Sequence, residues 1–362
     1  MKILIIYATA GAGHRKAAEA IFKAAIKENN HNVNIIDSLD YTNNLFKKIY
    51  SEGYRVLISK FPWIWAVLYY ALDNSIIYRI THILRRFIVY LNARPLADYI
   101  NREKPNIVIS TQFFTNEVIA SVKKQGIINP KLFCVITDFG LHSIWISEAV
   151  DIYIVGSLRT KQDLVSRGIP EEKIKILGIP VDAKFLDPLN KHDLCLKLGI
   201  QPDKFTALIM IGDIGIGPIE EIVERLKKDI QLLVVCGKNK RLYDRLKRKE
   251  TETVKIFGLV DNIHELMSVS DIIITKPGGL TISESLIKNL PMIFISAIPG
   301  QESKNAKFII DEGLGVMPKD FDSLVNIVYQ WRNSAKILDE IKDKIRKLSF
   351  PYTTREILKI LQ

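Results

Sequence analysis

The amino-acid sequence predicts an α/β protein of two doubly wound, Rossmann-like domains. Three observations carry that expectation. The chain has 362 residues, and at about 150 residues per domain that is two domains. Short apolar runs alternate with amphipathic stretches from end to end, the pattern of mostly parallel sheets wrapped by helices. The pattern also restarts after Gly178-Ile179-Pro180-Val181-Asp182, where the chain turns into the linker-like stretch LDPLNKHDL. Apolar residues make up 48% and charged residues 25%, which excludes disordered and collagen-like classes.

The boundary is therefore placed at 180, with a first domain over 1–180 and a second over 181–350. Strands are expected at Lys2–Tyr7, Val33–Asp37, Ile107–Thr111, Leu132–Thr137, Ile152–Val155 and Ile174–Ile176. The second domain repeats the style with Thr206–Ile211, Gln231–Cys236, Val254–Phe257, Ile272–Thr275, Met292–Ile295 and Gly315–Met317. A glycine turn opens a first helix over His14–Asn29; later helices include Ile219–Lys228 and Thr281–Lys288. Pro351 interrupts the last helical region, so a final helix at about Thr353–Leu361, within 351–362, is expected to cross back onto the first domain. Two such domains facing each other place a cleft between the carboxyl ends of two sheets, where open α/β folds bind ligands.

Cys134, Cys195 and Cys236 are far apart and odd in number. They form no disulfide framework and no zinc motif, which points to a reducing, cytoplasmic setting. The N-terminal apolar run reads as a core strand rather than a signal peptide. The densest apolar run, Phe61–Leu72, is too short to span a bilayer.

The net charge is 51 − 40 = +11, which asks for an acidic partner. Residues 41–95 carry 8 basic and 2 acidic side chains and 12 of the 32 aromatics, Trp63 and Trp65 among them. Cations interleaved with aromatic and aliphatic groups suit an interfacial membrane segment that meets anionic lipid. Ser75–Leu91 has helical spacing, with Arg79, Arg85 and Arg86 as its polar part. The bland alternative is a pair of helices, each with one buried face. No nucleic-acid reader motif is visible, so nucleic acid is not an expected partner.

Three motifs carry chemistry. Gly11-Ala12-Gly13-His14 follows the first strand and opens a helix, whose N-terminus offers free N–H groups. Asp37 sits where a dinucleotide-binding fold keeps a ribose-binding acid, but Lys16 replaces the third glycine of that fingerprint. His14 suits another job, contact with an acceptor hydroxyl near a reacting centre, or else it merely caps the loop. Thr137-Asp138-Phe139-Gly140-Leu141-His142-Ser143-Ile144-Trp145 follows the strand LFCVIT. A carboxylate, an imidazole and an indole there could orient or deprotonate an alcohol; the structural alternative is Asp138 as a helix cap and Trp145 as core.

The third motif, IIITKPGGLTISE (272–284), is a strand, a glycine turn and a helix start. Its backbone N–H groups suit a diphosphate, with Lys276, Gly278, Gly279 and Thr281 around it and Glu284 placed for ribose hydroxyls. Pro299-Gly300-Gln301-Glu302 and Asn305 follow the next strand, an amide and a carboxylate that can clamp sugar hydroxyls. Gly212, Gly215 and Gly217 form another phosphate-facing loop, and Gly237 and Asn239 end the next strand.

GAGHRKAAEAI, TKPGGLTISESL and PGQESKNAKFI together resemble the monogalactosyldiacylglycerol synthases of chloroplasts and the bacterial processive diacylglycerol glucosyltransferases. These belong to glycosyltransferase family 28, with the GT-B fold. TDFGLHSIW and VVCGKN match too. The resemblance runs from about residue 3 to 350 and is weakest over 41–95. It implies inverting transfer of a hexose, glucose or galactose, from a UDP-sugar to the free hydroxyl of 1,2-diacylglycerol on the inner face of the cell membrane. It implies that Phe257-Gly258-Leu259 holds uracil through its backbone, that Gly278, Gly279 and Thr281 take the diphosphate, Glu284 the ribose, and Gln301 and Glu302 the hexose. Gly13 and His14 would lie at the acceptor side, with His142 and Trp145 helping to bind acceptor or activating anionic lipid. One departure is the loop IGDIGIGP, where Ile211 and Asp213 stand in places the family usually fills with glycine; an Asp beside a diphosphate repels it unless it points away or is protonated.

Inversion needs one in-line displacement with oxocarbenium character. The expected base is His14, or Asp138. Helix N-termini and cations can stabilise the leaving diphosphate, so no metal and no cofactor is expected. The one Asp-x-Asp, Asp320-Phe321-Asp322, reads as a helix N-cap before Leu324–Trp331. Competing readings are a UDP-N-acetylglucosamine transferase on a lipid-linked cell-wall precursor, a UDP-sugar epimerase on the same fold, a nicotinamide dehydrogenase, and a sensor whose chemistry has decayed.

Overall fold

Two six-stranded sheets, parallel throughout, carry the chain. The computed structural model describes residues 1–9, 11–28, 32–126, 128–212, 215 and 217–361, without the side chains at 51, 54, 55, 59, 75, 78, 79 and 82–91. Contacts divide the chain into two units. The first is Met1–Ala183 with Ile298–Lys304 and Tyr352–Gln362; the second is Lys184–Ala297 with Asn305–Pro351.

The first sheet comprises β1 (Lys2–Tyr7), β2 (Asn32–Asp37), β3 (Ile107–Ser110), β4 (Lys131–Val135), β5 (Ile152–Val155) and β6 (Ile174–Ile176), in the order β2-β1-β3-β4-β5-β6. Strand β1 shows why the runs are continuously apolar. Ile3 and Ile5 pack on one face, against Ala18, Ile21 and Ala25 of the helix Ala12–Lys27. Leu4 and Ile6 pack on the other, against Leu96, Ile100, Val118 and Val122. A parallel sheet buried on both faces has no polar side to alternate with. The C-terminal helix Thr353–Leu361 completes the first of these faces, with Ile357, Leu358 and Leu361 in its cluster.

The second sheet comprises β7 (Thr206–Met210), β8 (Gln231–Val235), β9 (Val254–Phe257), β10 (Ile272–Thr275), β11 (Met292–Phe294) and β12 (Gly315–Val316), in the order β12-β11-β10-β7-β8-β9. Read from its other edge, this is the 3-2-1-4-5-6 order of the doubly wound fold. In each sheet the winding reverses at one point: between β1 and β3 in the first, between β7 and β10 in the second. Ligands of open α/β sheets bind outside the carboxyl ends at such points.

Several strands stop one or two residues short of their apolar runs. Thr111, Ile136, Cys236 and Ile295 still donate to a neighbouring strand but begin the loops that carry the motifs. The first helix spans Ala12–Lys27 rather than His14–Asn29, and Asn29 falls outside the described residues. The stretch LDPLNKHDL is only partly a linker: Asn190 accepts from the His192 and Asp193 N–H groups and opens a helix over Lys191–Leu198. Asp320 caps the helix Phe321–Asn333 in a reciprocal box with Ser323.

Residues 44–103 form a helical run: Asn44–Lys48, Tyr54–Lys60, Pro62–Asp73 and Ser75–Glu103, with a π turn at Ile49–Gly53. The end of the last helix buries Ala93, Leu96, Ala97 and Ile100, but the run also leaves large apolar side chains at solvent. Leu45, Ile49, Phe61, Trp63, Val67, Tyr70, Ile76 and Ile80 are all exposed, Trp63 at 67% and Ile80 at 71%. Among the described residues no helix is long and apolar enough to cross a membrane.

The C-terminal helix offers a check on this packing. Ile357 is fully buried, so Ile357→Ala should destabilise the protein by about 2–5 kcal/mol, read as a lower denaturation midpoint in urea.

Candidate active site

In the first unit the site is built on the β1/β3 reversal. His14 lies in the first turn of the helix after β1 and is half-buried. Its Nδ1 lies 2.8 Å from the Thr111 carbonyl oxygen, at the end of β3. A carbonyl can only accept, so Nδ1 carries the proton and Nε2 keeps the lone pair. The Thr137 hydroxyl stands 2.9 Å from the same Nδ1, and the Thr111 hydroxyl donates back to the His14 carbonyl at 2.9 Å. The imidazole is thus held from β3 and β4 together. Burial pushes its pKa below the usual histidine value; the nearby Asp138 carboxylate and the Thr111 bond oppose that without reversing it. His14 is a neutral base at neutral pH.

Trp145 closes the wall beside it, ring centroids 6.0 Å apart, and is itself buried edge-on against Phe113. Its indole belongs to the core cluster. Asp138 is half-buried just past β4. Gly13 lies in the first helical turn, and Gly11 is extended at φ 172°, so neither glycine supplies a left-handed turn.

His142 is placed differently from His14. It is 3% exposed. Its Nδ1 accepts from the Ile144 N–H at 3.0 Å, and its Nε2 bonds the Tyr69 carbonyl at 2.9 Å. Burial lowers its pKa. Both ring nitrogens are engaged by backbone, and the ring packs against Tyr69 with centroids 4.2 Å apart and planes inclined by 54°. Trp63 projects to solvent on the helix Pro62–Asp73, and Trp65 is half-buried. The side chains of Arg85 and Arg86 lie outside the described residues.

Asp37 is spoken for as well. Its carboxylate accepts from the Thr9 hydroxyl, the Thr9 N–H at 3.3 Å and the Leu39 N–H at 3.0 Å, capping the turn Ser38–Tyr41. The dinucleotide reading loses its ribose ligand.

In the second unit the β7/β10 reversal carries two loops. After β7, Gly212 and Gly215 have φ of +62° and +64°. A Cβ at Gly215 would fall 2.0 Å from the Cys236 carbonyl oxygen, so this backbone admits only glycine. Asn239 binds the loop from the next strand: its Nδ2 donates to the Gly215 carbonyl at 3.0 Å, and its Oδ1 accepts from the Leu242 N–H to cap a helix. Gly237 turns that connection at φ +58°. Asn239 therefore shapes the loop with both ends of its amide. Ile211 is buried in the core beneath, its side chain against Gly217, which takes it away from the loop surface. Asp213 lies outside the described residues.

After β10 the chain turns at Lys276-Pro277-Gly278 into the helix Gly279–Ile287, whose N-cap Gly278 supplies no side-chain bond. The first-turn N–H groups are left to a ligand or to water. Thr281 and Lys276 are half-buried there, and Glu284, one turn on, is 5% exposed. Asn305 anchors the turn by donating to the Pro277 carbonyl at 3.2 Å. Phe257 and Gly258 end β9 half-buried, and Leu259 is exposed. Gln301 and Glu302 belong to the first unit; the Glu302 carboxylate turns back to accept from the Ile298 N–H at 2.7 Å.

Sequence reasoning named Thr137 within a motif but gave it no role, and it missed the other residues that hold these groups: Thr111 beside His14, and Tyr69, Asp73, Arg167 and Lys304. Asp73 had a signal, as one of two acids in the otherwise basic stretch 41–95.

Two switch-point sites on two parallel sheets define a class, and the comparisons with known proteins agree with it. The Acinetobacter baumannii MurG structure superposes over 100% of this chain and 99% of its own, with TM-score 0.63 and 15% identity. The UDP-GlcNAc 2-epimerase of Neisseria meningitidis bound to UDP-GlcNAc covers 100% and 99%, with TM-score 0.65 and 14% identity. At such identities they show the fold alone: this is a GT-B protein. The profile of monogalactosyldiacylglycerol (MGDG) synthase matches residues 14–181, and that of the glycosyltransferase family 28 C-terminal domain matches 218–347. Processive diacylglycerol beta-glucosyltransferases of Staphylococcus epidermidis and Bacillus subtilis are each 30% identical, over 99% of this chain and 92% and 94% of theirs. The chain belongs to glycosyltransferase family 28, in the group of the diacylglycerol glycosyltransferases, and is a glycosyltransferase.

The glycine loop is open to direct test. Gly215→Ala places a methyl group against a backbone oxygen at a left-handed φ, so it should cost about 1–3 kcal/mol, read as a drop in thermal midpoint.

Proposed function

We propose that this enzyme transfers a hexose, with inversion, from a UDP-sugar to the free hydroxyl of 1,2-diacylglycerol at a membrane surface. The observation that carries the reading is His14: a half-buried, neutral imidazole whose Nδ1–H is fixed by Thr111 and whose Nε2 lone pair is therefore available. Nε2 takes the proton of the acceptor hydroxyl as its oxygen attacks the anomeric carbon. The bond from that carbon to the diphosphate breaks on the opposite face, and UDP leaves. Asp138 raises the proton affinity of His14 as charge develops, since it already opposes the downward shift of its pKa.

Most of the residues read as donor contacts belong to the second unit, Gln301 and Glu302 to the first. Phe257-Gly258-Leu259 meets uracil, Gly278, Gly279 and Thr281 with Lys276 and the Gly212–Gly215 loop meet the diphosphate, and Glu284 meets the ribose. Gln301 and Glu302 clamp the hexose. The uncapped helix at Gly279 and Lys276 stabilise the leaving diphosphate without a metal ion. Asp320 and Asp322 support that reading, being engaged as a helix cap and as a partner of Arg225.

The exposed apolar side chains of residues 45–80, flanked by Lys47, Lys48 and Lys60, hold the enzyme on the cytoplasmic face of an anionic membrane. Trp63, Val67 and Tyr70 recur at i, i+4 and i+7 and form one ridge. Trp145, and His142 through Tyr69, wall the acceptor side. The donor is UDP-glucose, after the names of the full-length relatives.

The test is UDP release on vesicles of diacylglycerol and phosphatidylglycerol, with UDP-glucose, UDP-galactose and UDP-N-acetylglucosamine compared, with and without chelator. Release that needs diacylglycerol, favours UDP-glucose and ignores chelator is expected; no release with any donor overturns the reading. His14→Ala should lower kcat by about 10²–10⁴. In the unaltered enzyme, kcat/KM should hold as pH falls to about 6.5 and decline only below it, because burial lowers the pKa of the base. Replacing Trp63, Val67 and Tyr70 together by Ser should weaken vesicle binding at least about tenfold in a flotation assay, while the fold is kept.

A further inference from the structure

Tyr69 and Asp73 are one helical turn apart, so both leave the same face of the helix Pro62–Asp73, away from the Trp63–Val67–Tyr70 ridge. That face meets protein. Tyr69 is buried, and the Asp73 side chain is 15% exposed. Both reach the segment Ile298–Lys304. The Lys304 ammonium pairs with Asp73 Oδ2 at 2.5 Å, donates to the Leu141 carbonyl at 2.7 Å and stands 5.4 Å from the centroid of the Tyr69 ring. Gly300 lies on that same ring at φ +97°, where a Cβ would come within 2.6 Å of Tyr69 Cγ. The other Asp73 oxygen accepts from Arg167 at 2.8 Å and from the Ser143 N–H at 2.9 Å. Burial alone would raise the Asp73 pKa, but these donors hold it far below the carboxylate range.

The turn that carries Gln301 and Glu302 is therefore pinned at both ends, at Gly300 by the Tyr69 ring and at Lys304 by Asp73. From within, Glu302 closes it on the Ile298 N–H. Two side chains that grip a sugar need a backbone fixed to a fraction of an ångström, and a small misplacement costs much of the binding. We propose that Asp73 and Lys304 are a positioning pair for the sugar donor: they touch no substrate, and they set the Gly300–Glu302 turn against the helix Pro62–Asp73. The proposal rests on the reading of Gln301 and Glu302 as the hexose clamp.

The experiment compares Lys304→Met, Lys304→Arg, Gln301→Ala and Glu302→Ala with the unaltered enzyme, on vesicles of diacylglycerol and phosphatidylglycerol with UDP-glucose. Lys304→Met is expected to raise the donor KM about tenfold while kcat changes by less than about threefold. Lys304→Arg keeps the cation and is expected to stay within about threefold of the unaltered KM. A merely structural ion pair would move the melting temperature and leave this split untouched. Should Lys304→Met not fold, the double variant Asp73→Asn/Lys304→Met removes both charges, leaves Arg167 at the solvent, and gives the same readout. An unchanged donor KM, or one raised as much by Lys304→Arg, overturns the pair. The clamp variants separate the two readings. If they raise the donor KM and Lys304→Met does not, the positioning pair fails. If the clamp variants leave the donor KM unchanged, the clamp fails and the positioning pair, which acts through it, fails with it, whatever Lys304→Met does.

Discussion

A parallel sheet buried on both faces commits every backbone group to its neighbours and every side chain to the core, and most of this protein follows from that constraint. Polar chemistry has no place along such strands, so it gathers where they end. Within two residues past Ser110, Val135, Met210 and Thr275 stand Thr111, Thr137, Gly212 and Lys276, each in a loop that carries one of the candidate motifs. The reversal of winding then selects which ends matter. Between β1 and β3, and between β7 and β10, successive helices leave on opposite faces and leave the strand tips uncovered. His14 is held at one such point and the uncapped Gly279 helix opens at the other.

Burial decides how His14 works. An exposed imidazole would be half-protonated near pH 6.5; burial penalises the charged form, and Asp138 opposes that only in part. The result is an imidazole that is neutral at neutral pH, with Asp138 offsetting part of the cost of charging it. His142, a few residues further on, shows the opposite use of the same chemistry. Both of its nitrogens are tied to backbone, so its value lies in fixing Tyr69. The two histidines differ in what their surroundings leave open: His14 keeps a lone pair on Nε2, and His142 has both nitrogens bonded to backbone.

The strands, their order of appearance and both glycine turns were legible in the sequence, because continuous apolar runs such as ILII and IIIT have few other places to go. Chain ends were less legible: LDPLNKHDL looked like linker until Asn190 proved to cap a helix. The positions of His14, Asp138, Gly215 and Thr281 at strand ends were legible too, because each follows an apolar run at short spacing. Their supports were not. Thr111 acts on His14 through a backbone carbonyl, which every residue has. Asn239 braces the Gly215 loop through both ends of its amide, a contact that its place after a strand does not reveal.

The helix Pro62–Asp73 concentrates what sequence alone hides most. Its composition is so apolar that one reads it as core, yet it is only partly buried. One face presents Trp63, Val67 and Tyr70 to solvent; the other spends Tyr69 and Asp73 on the segment 298–304, more than 220 residues away in the chain. A carboxylate in so apolar a helix would cost several kcal/mol if buried alone. It persists because Arg167, Lys304 and the Ser143 N–H meet it at once. Such a site is stable only when the whole set is assembled, so the distant segment carrying Lys304 must arrive in one register. The same requirement that makes Asp73 tolerable therefore fixes where Gly300, Gln301 and Glu302 lie on this helix.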